Sequence, residues 1–294
     1  MTANSRAHRR HWPALGVRMA RLLCRQPERT GDLVRGSYDR IAAGYDDAWT
    51  HHMRDLSLRL LELVSPPRGA IGLDLTCGTG FVTAELNTRT GGPTIGVDSS
   101  PGMLEMARTK YGERCEFVQA DAMDYLRACP RRSVDVVTCA WGLGYSRPVA
   151  VIREISRVLR PDGRVGIIDN TSFSLARVIW SSMLAFAEQP AALRHTMRVR
   201  FLPAGCVLSA IMRTCGLAVR KAYDGSRTYY VPDGRSAIAR LTATGAAAGF
   251  EFAADEAHRD QVFVRFAEII ERTAMTDQGV AITHRYLAAV GEKR

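Results

Sequence analysis

Acidic side chains recur where short apolar segments of this sequence end. Asp98 closes one such segment, Asp121 follows a second and Asp169 closes a third. Asp98 also comes about 20 residues after a glycine-rich loop, the interval at which an acid binds a ribose hydroxyl in doubly wound folds. The sequence therefore predicts that Asp98 binds the ribose of a nucleotide-like ligand.

The glycine-rich loop follows Asp74 and contains Gly78 and Gly80. Glycine permits backbone angles that are closed to other residues, and its missing side chain lets a ligand approach the main chain. A Gly-x-Gly turn also opens dinucleotide sites, but a third glycine follows there, and this chain has Thr83 instead. A strand-to-helix turn without a ligand is the remaining alternative.

Apolar periodicity indicates the elements that position these groups. Ser100 followed by Pro101 predicts the capped start of a helix. Residues 175–187 are apolar almost all round but too short to span a membrane, so they predict a buried or lid helix. The further predicted strands are 94–98, 115–120, 134–140, 164–169, 217–223 and 280–287, and the further predicted helices lie within 30–64, 151–159, 203–216 and 262–270.

The chain has 294 residues and a net charge of +10, and much of the excess lies in residues 1–27, which contain no acid. Basic surfaces bind RNA, but this uneven distribution makes nucleic acid an unexpected partner. Three readings of the segment compete: a solvated or partly helical extension, a targeting peptide, or a membrane-surface segment. The membrane-surface reading would use Trp12, Leu15, Met19, Leu22 and Leu23.

The seven cysteines include no Cys-x-x-Cys pair and have no histidines at metal-binding spacing, and their number is odd. This pattern favours reduced thiols in a cytoplasmic protein. We therefore expect no structural metal.

Five short motifs occur in order between residues 38 and 169. They are Tyr38 to Asp46, Asp74 to Gly80, Gly96 to Leu104, Asp121-Ala122 and Arg157 to Arg164. Together they resemble the class I S-adenosylmethionine-dependent methyltransferases, within them the small-molecule branch that includes the ubiquinone/menaquinone-biosynthesis enzymes. The resemblance implies a doubly wound, Rossmann-like, mostly parallel seven-stranded sheet with an antiparallel last strand and a helical lid or insertion.

The resemblance also implies a cofactor, S-adenosylmethionine, and the residues that bind it. Asp74 and the glycine-rich loop would hold its methionine end, Asp98 its ribose, Met103 one adenine face, and Asp121 with Ala122 the adenine edge. Tyr38 and Tyr45 would close the site, and Trp141 would border the transferred methyl group. The full implied set is Tyr38, Tyr45, Asp74, Thr76, Cys77, Gly78, Gly80, Asp98, Ser99, Met103, Asp121, Ala122, Met123, Ala140 and Trp141. Two residues depart from the family pattern: Thr76 stands where a small residue is usual, and Asp162 where a second glycine is usual.

A general base is needed only if the methyl acceptor must lose a proton. Tyr145, Asp169 and His195 are the candidates, in that order. Each has a structural alternative: an aromatic ring here can fill the sheet edge, Asn170 after Asp169 can cap a helix, and His195 has no visible partner in the sequence.

We expect a basic arm over residues 1–30 and one methyltransferase domain over 31–294. Helical additions at about 171–202 and 229–278 would form an apolar pocket for a small hydrophobic or amphiphilic acceptor. The sequence leaves O-, C- and N-methylation open, and also the oligomeric state. Two other functions stay open: a different S-adenosylmethionine reaction, such as intramolecular displacement at the aminobutyl group, and RNA binding with or without methyl transfer.

Overall fold

The computed structural model describes residues 4–25, 30–246, 248 and 252–294. Its strands are β1 (Gly72–Leu75), β2 (Thr94–Asp98), β3 (Glu116–Gln119), β4 (Val134–Ala140), β5 (Leu159–Asn170), β6 (Leu217–Val231), β7 (Met275–Thr276) and β8 (Gly279–Lys293). Its helices are α1 (Asn4–Arg25), α2 (Thr30–Ile41), α3 (His51–Val64), α4 (Phe81–Thr90), α5 (Pro101–Tyr111), α6 (Ala122–Ala128), α7 (Pro148–Val158), α8 (Ala176–Glu188), α9 (Gly205–Thr214), α10 (Gly234–Ala243) and α11 (Arg259–Ala274). A 3-10 turn over Ala42–Gly44 and a π-helical turn over Asp46–Thr50 join α2 to α3.

The strands form one sheet in the order β3-β2-β1-β4-β5-β8-β6, and β7 pairs with β8. The pairs from β3 through β5 are parallel, whereas β8 is antiparallel to β5. This confirms the predicted doubly wound sheet with its antiparallel last strand. The count is eight rather than seven because the two residues of β7 fold back on the start of β8.

The strand order reverses between β1 and β4, because the chain builds β2 and β3 on one side of β1 and then crosses to the other. In open α/β sheets such a switch point leaves a crevice at the carboxyl ends of the two strands, where ligands bind. The glycine-rich loop follows β1, and Trp141 follows β4. The topology therefore places two of the predicted site segments at the edge where a ligand is expected.

The residues divide into two compact units. The sheet unit comprises Tyr38–Phe173, Val199–Ser226 and Arg285–Arg294, and the helical unit comprises Ser174–Arg198, Arg227–His284 and the described residues up to Ser37. In the sheet unit, aliphatic residues of β1, β4 and β5 pack against α7 and α9. In the helical unit, α1, α8, α10 and α11 share an apolar core that includes Phe186, Leu241 and Phe266.

Helix α1 supplies part of that core. Leu15 and Leu22 are 2% and 5% exposed and pack within the helical unit, and the Trp12 ring stacks on Trp180 of α8 with centroids 5.5 Å apart. Leu15 and Leu22 belong to the face predicted for a membrane surface, and both pack against protein in the helical unit. Among the described residues, no helix is long and apolar enough to cross a membrane.

Candidate functional site

Asp98 links the end of β2 to the glycine-rich loop. Its Oδ2 accepts the Gly78 N–H at 2.9 Å, and its Oδ1 accepts the Ser100 N–H at 2.9 Å. Burial raises the pKa of the carboxyl, although these backbone donors act in the opposite direction. Gly78 has a φ of +54°, and a Cβ built there would meet nothing within 4 Å. The main chain beside Asp98 is therefore open to a ligand, as the prediction for this loop requires.

Two non-glycine residues in the left-handed region follow the two strands at the switch point. Thr76 has φ 56° after β1, and Trp141 has φ 65° after β4. Such angles are strained for bulky or β-branched residues, and they concentrate at functional sites. A Cβ built on Gly142 would lie 2.5 Å from Thr76 Oγ1, so Gly142 makes room for Thr76. The departure at Thr76 is thus accommodated by a glycine on the neighbouring strand end.

Asp74 is 1% exposed and bonded to protein groups through both oxygens. Its Oδ2 accepts the Thr83 hydroxyl at 2.7 Å, and its Oδ1 accepts the Thr138 hydroxyl at 2.6 Å. Burial raises its pKa to about 7 in spite of these bonds. The carboxylate therefore ties β1 to α4 and β4, and a role at the methionine end of a cofactor stays a prediction.

The adenine-side residues occupy the first turns of two helices. Ser100 caps α5 by accepting the Met103 N–H at 3.1 Å, as the sequence predicted, and the Met103 side chain is 1% exposed. Asp121 caps α6 and accepts the Met123 N–H at 2.8 Å, with Ala122 between them half-buried. Both helix starts face the strand ends that carry the acids, but Met103 is enclosed in the protein whereas Asp121 is exposed.

Three tyrosine rings lie together in the sheet unit. The Tyr38 ring lies 5.8 Å from Tyr45 and 6.3 Å from Tyr145, centroid to centroid, both in edge-on geometry. Burial raises the pKa of all three hydroxyls, that of Tyr145 to about 12, and the charge of Asp98 adds to the effect at Tyr38 and Tyr45. The structure therefore brings the predicted closing tyrosines and Tyr145 together, with Asp98 close to Tyr38 and Tyr45.

Asp169 is 2% exposed and holds the turn that carries Tyr145. Its Oδ2 accepts the Gly144 N–H at 2.6 Å, and its Oδ1 accepts the Asn170 N–H at 2.7 Å. Burial raises its pKa to about 7. A Cβ built on Gly144 would lie 2.1 Å from Phe201, whose ring packs 5.4 Å from that of Tyr145. Phe201 was not predicted as a site residue, because it lies 56 positions from Tyr145 in a segment without regular structure.

Trp141 points its indole toward α3. Its Nε1 donates to Ser57 Oγ at 3.0 Å, and its ring meets Trp49 at 5.6 Å and Tyr286 at 6.2 Å, both edge-on. The preceding residue, Ala140, is buried at the end of β4. The aromatic ring of Trp141 thus packs in the protein, while its strained backbone lies at the strand end.

His195 belongs to the helical unit, unlike Tyr145 and Asp169. Its N–H donates to the Ala253 carbonyl at 3.3 Å. The structure therefore groups Tyr145 with Asp169 within one unit, and His195 stays a candidate from sequence alone.

Two carboxylates that the sequence did not single out attach segment 38–50 to the site. Asp39 Oδ1 accepts the Ser100 hydroxyl at 2.6 Å and the Gly102 N–H at 3.1 Å. Asp46 Oδ1 accepts the Thr79 hydroxyl of the glycine-rich loop at 2.5 Å, and its Oδ2 pairs with Lys110. Both acids lie in the first of the five motifs, Tyr38 to Asp46, so that motif was the only feature of the sequence that could have identified them as site residues.

The other residues predicted to bind the cofactor include Cys77, Gly80 and Ser99. The loop is fixed by Cys77 N–H donating to the Val97 carbonyl and Gly80 N–H donating to the Cys77 carbonyl, both at 3.0 Å. Cys77 is buried, and burial raises its pKa. Ser99 is half-buried beside Asp98. Within the part of the chain that the structure describes, no group of three or more His, Cys, Asp and Glu side chains could hold a metal ion.

Comparison with known proteins places this site in a family context. The family described as "Methyltransferase domain" matches residues 73–163. The demethylmenaquinone methyltransferase of Lactococcus lactis is 43% identical over 108 residues, which are 34% of this chain and 41% of the relative. The ubiquinone/menaquinone biosynthesis C-methyltransferase UbiE of Hahella chejuensis is 30% identical over 213 residues, which are 64% of this chain and 84% of the relative.

Among solved structures, YcgJ from Bacillus subtilis shares the fold with a TM-score of 0.55 at 18% identity, covering 82% of this chain and 99% of that protein. Across four of the curated relatives, the match spans only 41% to 62% of the relative's own length. The match to the family model lies within the stretch that contains the five motifs.

Proposed function

Because the chain belongs to the class I S-adenosylmethionine-dependent methyltransferases, we propose that it transfers the methyl group of S-adenosylmethionine to a small hydrophobic acceptor of the quinol type. The observation that carries the proposal is the pairing of Asp98 with the open main chain at Gly78, at the switch point of the sheet. The two relatives named above are methyltransferases of menaquinone and ubiquinone biosynthesis, and their names support methylation over another use of the same cofactor.

The residues present fit the cofactor. Asp98 offers a carboxylate for ribose hydroxyls, and Gly78 leaves its main chain uncovered. Asp121 offers an exposed carboxylate at a helix start, while Tyr38 and Tyr45 supply aromatic cover beside Asp98. When bound, S-adenosylmethionine supplies a methyl group already activated by the positive sulfur. The protein then needs mainly to hold the acceptor in line, since orientation alone is worth effective molarities of about 10⁵–10⁸ M.

Tyr145 is better suited to donating a hydrogen bond than to acting as a general base. Its pKa of about 12 keeps the hydroxyl protonated at neutral pH, so that it can donate a hydrogen bond to an acceptor oxygen. Asp169 titrates near pH 7, but both its oxygens accept backbone N–H groups, so we assign it the positioning of Gly144 and Tyr145.

The edge-on rings of Tyr38, Tyr145 and Phe201 favour a flat apolar acceptor. Aromatic side chains bind planar rings through stacked and edge-to-face contacts that are worth about 0.5–1.5 kcal/mol each beyond area burial. The predicted contribution of 171–202 and 229–278 to acceptor specificity stays a prediction.

Calorimetric titration with S-adenosylhomocysteine tests the cofactor site. We expect Asp98→Asn to weaken binding at least about tenfold, equivalent to about 1.4 kcal/mol. Asp124→Asn is the matched control, because its side chain is 74% exposed and pairs with the exposed Arg127. An unchanged affinity in Asp98→Asn would contradict the assignment.

Incubation with S-adenosylmethionine and a demethylated menaquinol analogue tests the reaction. We expect a product heavier by one methylene group and an equal amount of S-adenosylhomocysteine, detected by mass spectrometry. Methylthioadenosine in its place would identify the intramolecular displacement instead. Cofactor binding without methylation of any quinol or phenol would exclude the proposed acceptor class and leave the cofactor site standing.

A further inference from the structure

Segment 38–50 lies along α5 and is attached near both ends of that helix. Asp39 bonds to Ser100 and Gly102 at the start of α5, and Asp46 pairs with Lys110 in its last turn. The 11 residues of α5 span about 16 Å at 1.5 Å per residue. Tyr38 directly precedes Asp39 and Tyr45 directly precedes Asp46, so each attachment fixes the backbone beside one of the two aromatic rings.

The two acids bond to different parts of the site. Asp39 accepts hydrogen bonds from the first turn of α5, whereas Asp46 bonds to the last turn of α5 and to the glycine-rich loop. Asp46 Oδ1 accepts hydroxyls from Thr79 at 2.5 Å and Thr50 at 2.7 Å, while Lys110 pairs with Oδ2. Burial opposes ionisation, but the bonds from Lys110, Thr79 and Thr50 outweigh it and lower the pKa of Asp46. The carboxylate is therefore anionic at neutral pH and fully engaged with groups that donate to it.

The glycine-rich loop needs such an anchor. Gly78 and Gly80 both have positive φ, and glycine loses the most conformational freedom when a loop is ordered. Asp98 fixes the loop on one side through the Gly78 N–H, and Asp46 fixes it on the other through Thr79, whose side chain is 2% exposed. Thr79 lies between the two glycines, so a bond at its hydroxyl restrains both.

We propose that Asp46 is a positioning residue for the cofactor, acting through the Thr79 hydroxyl to hold the glycine-rich loop and through the adjacent backbone to hold Tyr45. Its role is to hold the loop that forms the proposed site, not to contact the ligand. Lys110 supports Asp46 by keeping its carboxylate charged and oriented. The inference rests on the proposed cofactor site at Asp98 and names a residue that the site depends on.

Two substitutions at Thr79 test the role of its hydroxyl, because one removes the hydroxyl and the other keeps it. Thr79→Val keeps the shape and removes the hydroxyl, whereas Thr79→Ser keeps the hydroxyl. We expect Thr79→Val and Asp46→Asn each to weaken S-adenosylhomocysteine binding about tenfold, in line with the loss of a hydrogen bond to a charged group. Thr79→Ser should stay within about threefold of the wild type, less than half a logarithmic unit.

A double-mutant cycle separates positioning from a general loss of stability. If Asp46 acts through Thr79, the loss of affinity in the double variant Asp46→Asn/Thr79→Val should be clearly smaller than the product of the two single losses, because both changes remove the bond between Asp46 and Thr79. Independent structural damage would multiply the two effects. The free energy of unfolding without ligand, measured in urea, shows whether a weakened variant is still folded at the temperature of the titration.

Asp47→Asn is the matched control for the carboxylate. Asp47 is the next residue in the same turn, its side chain is 89% exposed, and its ion-pair partner is the exposed His51 at 3.3 Å. We expect it to bind S-adenosylhomocysteine as the wild type does.

The possible results distinguish this inference from the function on which it rests. Equal affinities for Asp46→Asn and Asp47→Asn, or equally weak binding by Thr79→Ser and Thr79→Val, would overturn the role of Asp46 while leaving the cofactor site intact. Multiplied losses in the double variant would overturn it as well. Wild-type protein that does not bind S-adenosylhomocysteine would instead overturn the site at Asp98, and with it the reason for a positioning residue.

Discussion

Both compact units have an apolar core, but the sheet unit adds a set of directional polar bonds at its strand ends. In the sheet unit, side-chain carboxylates bond to backbone N–H groups and hydroxyls around the strand ends, as at Asp98 and Asp169. In the helical unit, α1, α8, α10 and α11 bury aliphatic and aromatic side chains against one another. Polar bonds are directional and fix individual atoms, whereas apolar packing is not directional and mainly fixes volume. The unit that is proposed to do chemistry is the one whose geometry is set atom by atom.

A cavity in the helical unit should produce the largest loss of stability. Ile270 of α11 is fully buried among apolar side chains, so Ile270→Ala removes packed volume and should lower the free energy of unfolding by about 2–5 kcal/mol. Val264→Ala on the same helix is the control, since Val264 is 49% exposed and should change stability by less than about 0.5 kcal/mol. Urea denaturation measures both. Equal costs at the two positions would mean that apolar packing does not hold this unit.

Added side-chain volume at the turn that carries Tyr145 should destabilise the sheet unit. Gly144→Ala places a Cβ 2.1 Å from the Phe201 ring, beside the N–H that Asp169 accepts, so we expect a cost of about 1–3 kcal/mol. Gly44→Ala is the control, because a Cβ there meets nothing within 4 Å and the backbone angle is ordinary. It should be neutral or slightly stabilising. A Gly144→Ala protein as stable as Gly44→Ala would show that the Tyr145 turn is loosely packed.

The same contrast explains what the sequence could predict. Ser100 and Pro101 act within the first turn of the helix that they start, so local pattern was sufficient for that cap, and the doubly wound sheet followed from the order of the segments. The Asp46–Thr79 bond joins residues 33 positions apart, and the Asp46–Lys110 pair joins residues 64 apart. Such pairs depend on how the chain folds back on itself, which no local pattern encodes.

Burial is the other property that the local pattern could not supply. The apolar stripe of α1 gave no sign of which protein groups it contacts, and the structure shows Leu15 and Leu22 packed in the helical core. Asp74 likewise matches the family motif, yet both its oxygens are occupied by Thr83 and Thr138. A motif identifies a position in a family, whereas the partners of the side chain follow from the fold.

Buried acids give the sheet unit a pH dependence that the core of the helical unit lacks. Among the described residues, the acids that are at most 2% exposed are Asp74 and Asp169, and both belong to the sheet unit. The pKa of Asp169 is about 7 in the folded protein and near 3.9 in an unfolded chain. Between these values the folded state binds the extra proton. The contribution of Asp169 to stability is therefore greatest below about pH 4 and declines as pH rises toward 7.

Asp169→Asn should remove this slope. The amide does not ionise, so the variant should lose less stability than the wild type as pH rises from 4 to 7, by up to about 1.4 kcal/mol per pH unit. It should also show a pH-independent loss, because an amide accepts only one of the two backbone N–H groups that the carboxylate accepts. Urea unfolding at several pH values measures both effects, with Asp124→Asn, an exposed acid of the same unit, as the control.

A profile for Asp169→Asn parallel to that of the wild type would mean that Asp169 stays ionised throughout, held by the Gly144 and Asn170 N–H groups more strongly than burial opposes it. The carboxylate would then fix the Tyr145 turn equally well at every pH in this range, and any change in activity there would have to come from another group.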